Sequence, residues 1–210
     1  MAPRQKLRSE ETKQAILTAA GMLFANRGYN GVSMREIAKE ANCSHTTIYI
    51  YFKDKEELLH AMSMPPLLEA QRNIDVIANR TSLSPEAKLK AISMEFLRFC
   101  LQHKSIYQVV FMVKGVRVDE EEPVLEINRL RINLFKAIGQ ALQDVFPIQP
   151  SSDRLLRFNR IYFFMLNGII NTYLLTDESL SDLMNRLSPA FDEAFDTLLT
   201  GFKLKITSEG

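Results

Sequence analysis

The sequence predicts an all-α fold of about nine or ten helices, and three observations carry that expectation. Gly and Pro together account for only 16 of 210 residues, against roughly 12% in average usage, so the residues that punctuate turns and strands are scarce. Apolar residues recur at i, i+3, i+4 and i+7, the repeat of one helix face. No stretch shows period-2 alternation bounded by hairpin turns, and no internal repeat or low-complexity tract is present.

Each element has its own start signal. Ser9, Glu10 and Glu11 suit a helix N-terminus, and Ile16, Ala19, Ala20, Leu23 and Phe24 follow on one face, ending near Asn26 before Gly28. Ser33-Met34-Arg35-Glu36 is a capping box that opens a short helix to about Ala41. Ser44 caps a third helix through about Phe52, and Asp54-Lys55-Glu56-Glu57 opens a longer one toward Arg80, kinked or restarted at Pro65-Pro66. Ser84-Pro85 supplies a cap and a first-turn proline before Leu89, Ile92, Phe96, Phe99 and Cys100. Ile106, Val109, Val110 and Val113 suit a shorter helix. After a loop from Gly115 to Glu122, Pro123 begins a long helix through Ile127, Leu130, Leu134, Ile138 and Leu142 that stops at Pro147 to Pro150. Ser152 starts a helix through Leu175 that is apolar nearly all round from Ile161, a pattern that requires burial on more than one side. Ser188-Pro189 starts the last helix, through about Phe202.

Composition excludes several classes. At 46% hydrophobic and 24% charged the chain is too apolar to be disordered, and its longest uncharged stretch, Ile161 to Thr176, is 16 residues, short of the roughly 18 to 20 needed to cross a bilayer. The basic N-terminus lacks the apolar segment of a secretory signal. Two distant cysteines, Cys43 and Cys100, suggest neither a disulfide framework nor a thiolate metal site, so a cytoplasmic protein is expected. No GxSxG, HExxH or P-loop occurs, and His45, His60 and His103 lack zinc-ligand spacing; no enzyme activity, metal or cofactor is expected. The net charge of +1 conceals an asymmetry. Residues 1–55 hold nine Lys or Arg against five Asp or Glu, net +4, while residues 56–210 hold 17 against 20, net −3.

The informative block runs from Ser33 to Phe52: a capped helix, the turn Asn42-Cys43-Ser44, and a second short helix, which together describe a helix-turn-helix. Ile37, Ala38 and Ala41 share one face, Asn42 suits the left-handed conformation at a helix end, and Ile48 and Phe52 can face inward. On geometry alone an αα-corner serving only as core fits equally well. The outward residues His45, Thr46, Thr47 and Tyr49 are short or planar and can hydrogen-bond, as a helix entering the major groove needs. No carboxylate lies between Asn42 and Lys53, and Lys53, Lys55, Arg35 and an arm with Arg4, Lys6 and Arg8 flank the block as candidate phosphate contacts.

Gly28 to Ala41 and Ser44 to Leu59 resemble the signature of the TetR family of bacterial transcriptional regulators nearly position for position, over about a quarter of the chain within residues 9–60. Two departures, Asn42 and Cys43, stand where the family usually has Gly and Val. The resemblance implies a DNA-binding domain over residues 1–54 and a helical ligand-binding and dimerisation domain over 55–210. It places Arg35, His45, Thr46 and Thr47 at base-reading positions and Ser33, Ser44, Tyr49, Tyr51 and Lys55 at phosphate-holding positions. It further implies a homodimer on a palindromic operator, a repressor released by a small, largely apolar effector and associated with the bacterial nucleoid. Phe163, Ile170, Phe191, Phe195, Leu198 and Phe202, on the apolar helix and the last helix, match the family's dimerisation pair. Phe96, Phe99, Cys100, Tyr107, Phe111, Met112 and Met165 are the candidate effector lining, although the same stripe suits an ordinary core. A ligand-independent regulator or an activator of the same fold is the alternative.

Overall fold

The computed structural model describes residues 3–113, 126–146, 148–149 and 152–208, and among these the side chains of residues 3–6, 109, 112 and 113 are left out of account. The described residues form nine α-helices and one π-helical segment, with no strand. In chain order they are α1 (Pro3–Arg27), α2 (Met34–Glu40), α3 (His45–Tyr51), α4 (Lys55–Ala78), α5 (Pro85–Gln102), α6 (Lys104–Ile106), the π-helical segment Tyr107–Val113, α7 (Glu126–Val145), α8 (Asp153–Tyr173) and α9 (Leu180–Thr207). No helix among them is long and apolar enough to cross a membrane. The loop expected at Gly115 to Glu122 and the start expected at Pro123 lie outside the described residues.

Two expected helix starts move for a local reason, and one expected break is absent. α1 begins at Pro3, a residue suited to a first helical turn, so the basic arm is helical. Ser9 is therefore inside the helix, and its hydroxyl lies 3.2 Å from that of Tyr51. α4 runs unbroken through Pro65 and Pro66. α9 starts well upstream of Ser188, at Leu180, because Ser179 caps it. The Ser179 hydroxyl accepts from the Asp182 amide at 3.2 Å and donates to the Asp182 carboxylate at 2.7 Å. Ser188, expected as the cap, instead donates to the Met184 carbonyl one turn back at 2.7 Å, and Pro189 sits within the helix.

The chain divides into two compact units, Met1–Glu69 with His103–Arg131, and Ala70–Gln102 with Ile132–Gly210. This division does not follow the expected boundary at 54/55, since Leu58 and Leu59 of α4 are buried in the first unit's core. That core gathers Ile16, Ala20 and Phe24 of α1, Ile37 and Ala38 of α2, and Ile48 with Phe52 of α3 and its end. Burying a side chain such as Phe24 or Ile37 stabilises by roughly 1.5–3 kcal/mol, and this packing is what holds two seven-residue helices that would not persist alone. In the second unit α5 turns Leu89, Ile92, Phe96, Phe99 and Cys100 inward as expected. There the hydroxyls of Ser93 and Tyr162 meet at 2.7 Å in the buried interior, and burial raises the Tyr162 phenol well above its ordinary value.

Candidate nucleic-acid interface

The turn between α2 and α3 is built by backbone chemistry. Asn42 takes a left-handed φ of 52°, as its residue type allows. The Cys43 amide then bonds the Ala38 carbonyl at 2.9 Å and the Asn42 amide bonds the Lys39 carbonyl at 3.1 Å. These two bonds are the paired closure of a Schellman helix end, which satisfies carbonyls that α2 would otherwise leave open. Cys43 is half-buried against the core, and burial raises its thiol pKa.

Both short helices are capped at their starts. The Ser33 hydroxyl accepts from the Glu36 amide at 3.3 Å, while the Glu36 carboxylate accepts from the Ser33 amide at 2.8 Å and the Ser33 hydroxyl at 2.7 Å. Those bonds, with the Arg27 guanidinium 2.8 Å away, hold the Glu36 carboxyl pKa at about 2. Arg27 also donates to the Gly31 carbonyl at 2.7 Å, tying the end of α1 to the cap of α2. A Cβ at Gly31 would lie 2.6 Å from the Arg27 carbonyl oxygen, so the loop needs glycine there. On α3 the Ser44 oxygen accepts from the Thr47 amide at 2.9 Å and sits 2.7 Å from the Thr47 hydroxyl.

The α3 residues then separate by side. Ile48 is fully buried, as is Phe52 just beyond the helix, while Tyr51 and Thr47 are half-buried. His45, Thr46, Tyr49 and Ile50 are exposed. The His45 and Tyr49 rings, one turn apart, meet edge to face with centroids 5.1 Å apart. Lys53, two residues after α3, and Arg35 on α2 are also exposed.

The expected contact residues therefore fall into two groups. Arg35, His45, Thr46 and Tyr49 have side chains open to a partner. Ser33, Ser44 and Thr47 already use their hydroxyls in caps. The Tyr51 hydroxyl meets Ser9 at 3.2 Å. Lys55 donates to the Tyr29 and Val32 carbonyls, each at 2.8 Å, and lies 4.3 Å from the centre of the Tyr29 ring. It thus braces the loop between α1 and α2. Two residues of this region escape the sequence reading, Arg27 and Ile50. A helical wheel centred on Thr46 does place Ile50 outward, so its exposure is a signal the sequence carries.

The expected effector residues are shared between the two units. Phe96, Phe99 and Cys100 are buried and Met165 half-buried in the second unit, whereas Tyr107 and Phe111 stack at 5.4 Å in the first. Met112 lies outside the described side chains. Burial raises the Cys100 thiol well above its ordinary value. Of the expected dimer residues, Ile170, Phe191, Phe195 and Phe202 are buried within the chain's own core, so they are not at its surface. The Phe158 and Phe202 rings stack at 4.0 Å, and half-buried Phe163 meets Phe135 edge to face at 4.7 Å. Leu198 is half-buried. The large apolar side chains that α8 and its end turn outward include Ile161, Phe164 and Leu175, the last two 67% and 83% exposed, and α9 adds Leu204.

Residues 16–62 match the family model described as bacterial regulatory proteins, tetR family. The HTH-type transcriptional regulator YfiR of Bacillus subtilis is 27% identical over 192 residues, spanning 87% of this chain and 90% of that protein. Residues 16–62 thus form a helix-turn-helix domain of the TetR type. Among solved structures, the TetR-family regulator PfmR of Thermus thermophilus shares the fold with a TM-score of 0.64 at 20% identity, covering 88% of this chain and 97% of that one. FadR of Bacillus subtilis, solved in complex with stearoyl-CoA, gives 0.60 at 18% identity over 90% and 98% of the two chains. With the matched domain at residues 16–62 and the similarity to YfiR along most of its length, the chain is a DNA-binding transcriptional regulator.

Proposed function

We propose that this regulator works as a homodimer that reads a palindromic operator with α3 and lets go of it when a small, largely apolar effector binds the helical region after residue 54, so that it acts as a repressor. The observation that carries the DNA-reading part is the outward face of α3. His45, Thr46 and Tyr49 are exposed and polar at their tips, Arg35 and Lys53 flank them, and no carboxylate lies between Asn42 and Lys53. In this reading Arg35, His45 and Thr46 contact bases, Thr47 supports them from the cap, and Tyr49 with Lys53 holds phosphate.

The homodimer rests on the uncovered apolar side of α8. A helix apolar nearly all round buries only Leu155, Phe158, Tyr162, Leu166 and Ile170 within this chain, and a second copy would cover Ile161 and Phe164. Two-fold symmetry then matches a palindrome. For the effector, the buried residues Phe96, Phe99 and Cys100 favour an apolar ligand, and the stearoyl-CoA in the FadR structure makes a long acyl thioester the first class to screen. The effector must prefer the DNA-incompetent state by about 1–3 kcal/mol to release DNA detectably. A cytoplasmic, nucleoid-associated location follows from that role.

Operator duplexes selected from a random library by the full chain test the reading. Selected duplex should bind at least about 1,000-fold more tightly than random duplex at the same salt, and His45→Ala should erode that ratio. Equal affinity for both would overturn it. An acyl thioester that raises the melting temperature and also lowers operator affinity supports the switch; one that binds without moving operator affinity refutes it.

A further inference from the structure

Ile50 is 76% exposed on the DNA-reading helix. A singly exposed isoleucine is ordinary on a protein surface; the register of this one is not. With about 3.6 residues per turn, the buried Ile48 and Phe52 mark the inward direction of α3, and the positions pointing most directly away from them are Thr46 and Ile50, one turn apart. Together they present a methyl and a branched aliphatic end on the outward side of the helix that carries the His45–Tyr49 ring pair, with exposed Lys53 following three residues after Ile50 in sequence. A helix face that is apolar at Thr46 and Ile50, in a segment with no carboxylate from Asn42 to Lys53, fits the one apolar group on a base edge of the major groove, the C5-methyl of thymine. Isoleucine can neither accept nor donate a hydrogen bond through its side chain, so it cannot hold phosphate.

We propose that Ile50, with the methyl of Thr46, is a specificity-determining residue that selects thymine by contact with its C5-methyl. The inference rests on the DNA-reading assignment of α3 and adds the base and the atom that this part of the helix reads.

The test uses operator duplexes selected by the full-length protein, in which each thymine is replaced in turn by deoxyuridine, which removes only the methyl. Burying one methyl predicts about a four-fold loss of affinity at the contacted thymine for the wild type. Ile50→Ala should abolish that loss at the same position while leaving losses at other thymines unchanged. Ile50→Val should retain part of it, and Thr46→Ser, which keeps the hydroxyl, should reduce it. Because Ile50 is exposed, its variants should melt within a degree or two of wild type. If no thymine is methyl-sensitive, or if Ile50→Ala preserves the sensitivity, the proposal fails while sequence-specific binding stands. If the library yields no enriched sequence, both the proposal and the DNA-reading assignment fail.

Discussion

α3 and α8 each leave part of a helix uncovered by the chain, and they do so with opposite chemistry. α3 is seven residues long, is held by a serine cap and two buried side chains, and turns His45, Thr46, Tyr49 and Ile50 outward. α8 is 21 residues long, buries Leu155, Phe158, Tyr162, Leu166 and Ile170, and leaves Ile161 and Phe164 exposed. A face tipped with hydrogen-bonding groups and bordered by cations suits a hydrated, anionic partner. Large apolar groups left in water gain by being covered, and in the proposed homodimer a second copy of the same helix would do that symmetrically. Burial within the chain thus separates residues that stabilise the fold from residues available for association.

The contrast within α8 and α9 can be broken most sharply. Phe164→Glu should leave the fold intact and weaken self-association by about 30-fold or more, read by sedimentation across protein concentration. Phe191→Ala, at a fully buried position, should instead cost about 3–5 kcal/mol in urea unfolding. A Phe164→Glu protein that associates as tightly as wild type would remove α8 from the interface.

The same division applies to two lysines at the reading head. Lys55→Ala strips donors from the Tyr29 and Val32 carbonyls and should cost about 1–3 kcal/mol of folding stability with the salt dependence of operator binding unchanged. Lys53→Ala should reverse the pattern, lowering the log–log salt slope by about 1 with stability within about 0.5 kcal/mol of wild type. At the turn, Asn42→Ala should cost about 1–2 kcal/mol because alanine resists a left-handed backbone, while Asn42→Gly should restore most of it.

The smallest effect concerns pH. The folded state holds the Glu36 carboxyl pKa at about 2, below its ordinary 4.5. A lowered carboxylate pKa contributes stability that is present above the ordinary value of 4.5 and disappears as pH falls toward 2. Urea midpoints of wild type and Glu36→Gln should differ near neutral pH and converge as pH falls toward about 2. A constant difference would mean that the charge of the carboxylate contributes nothing to the cap.

Much of the reading head is legible without coordinates because its signals are local. The Ser33–Glu36 box, the Ser44 cap and the left-handed Asn42 depend on residues within four positions of each other, and each appears as expected. Where several start signals compete, local chemistry does not rank them. Ser188-Pro189 has the form of a helix start, yet Ser179 with Asp182 is the cap and the helix continues through the proline. Apolar spacing shows that Phe191 and Phe195 share a face but not what that face meets.

The sequence by itself determined the helical class, the helix-turn-helix and its polar, carboxylate-free outer face, because periodicity, caps and charge are properties of short segments. Tertiary structure decided which of the matching side chains were free. It committed Lys55 to two carbonyls and Tyr51 to Ser9, took Ile170, Phe191, Phe195 and Phe202 into the core, and left Ile50 and Phe164 outside. The physical reason is that a side chain's availability depends on partners far away in sequence, which only packing brings within contact distance.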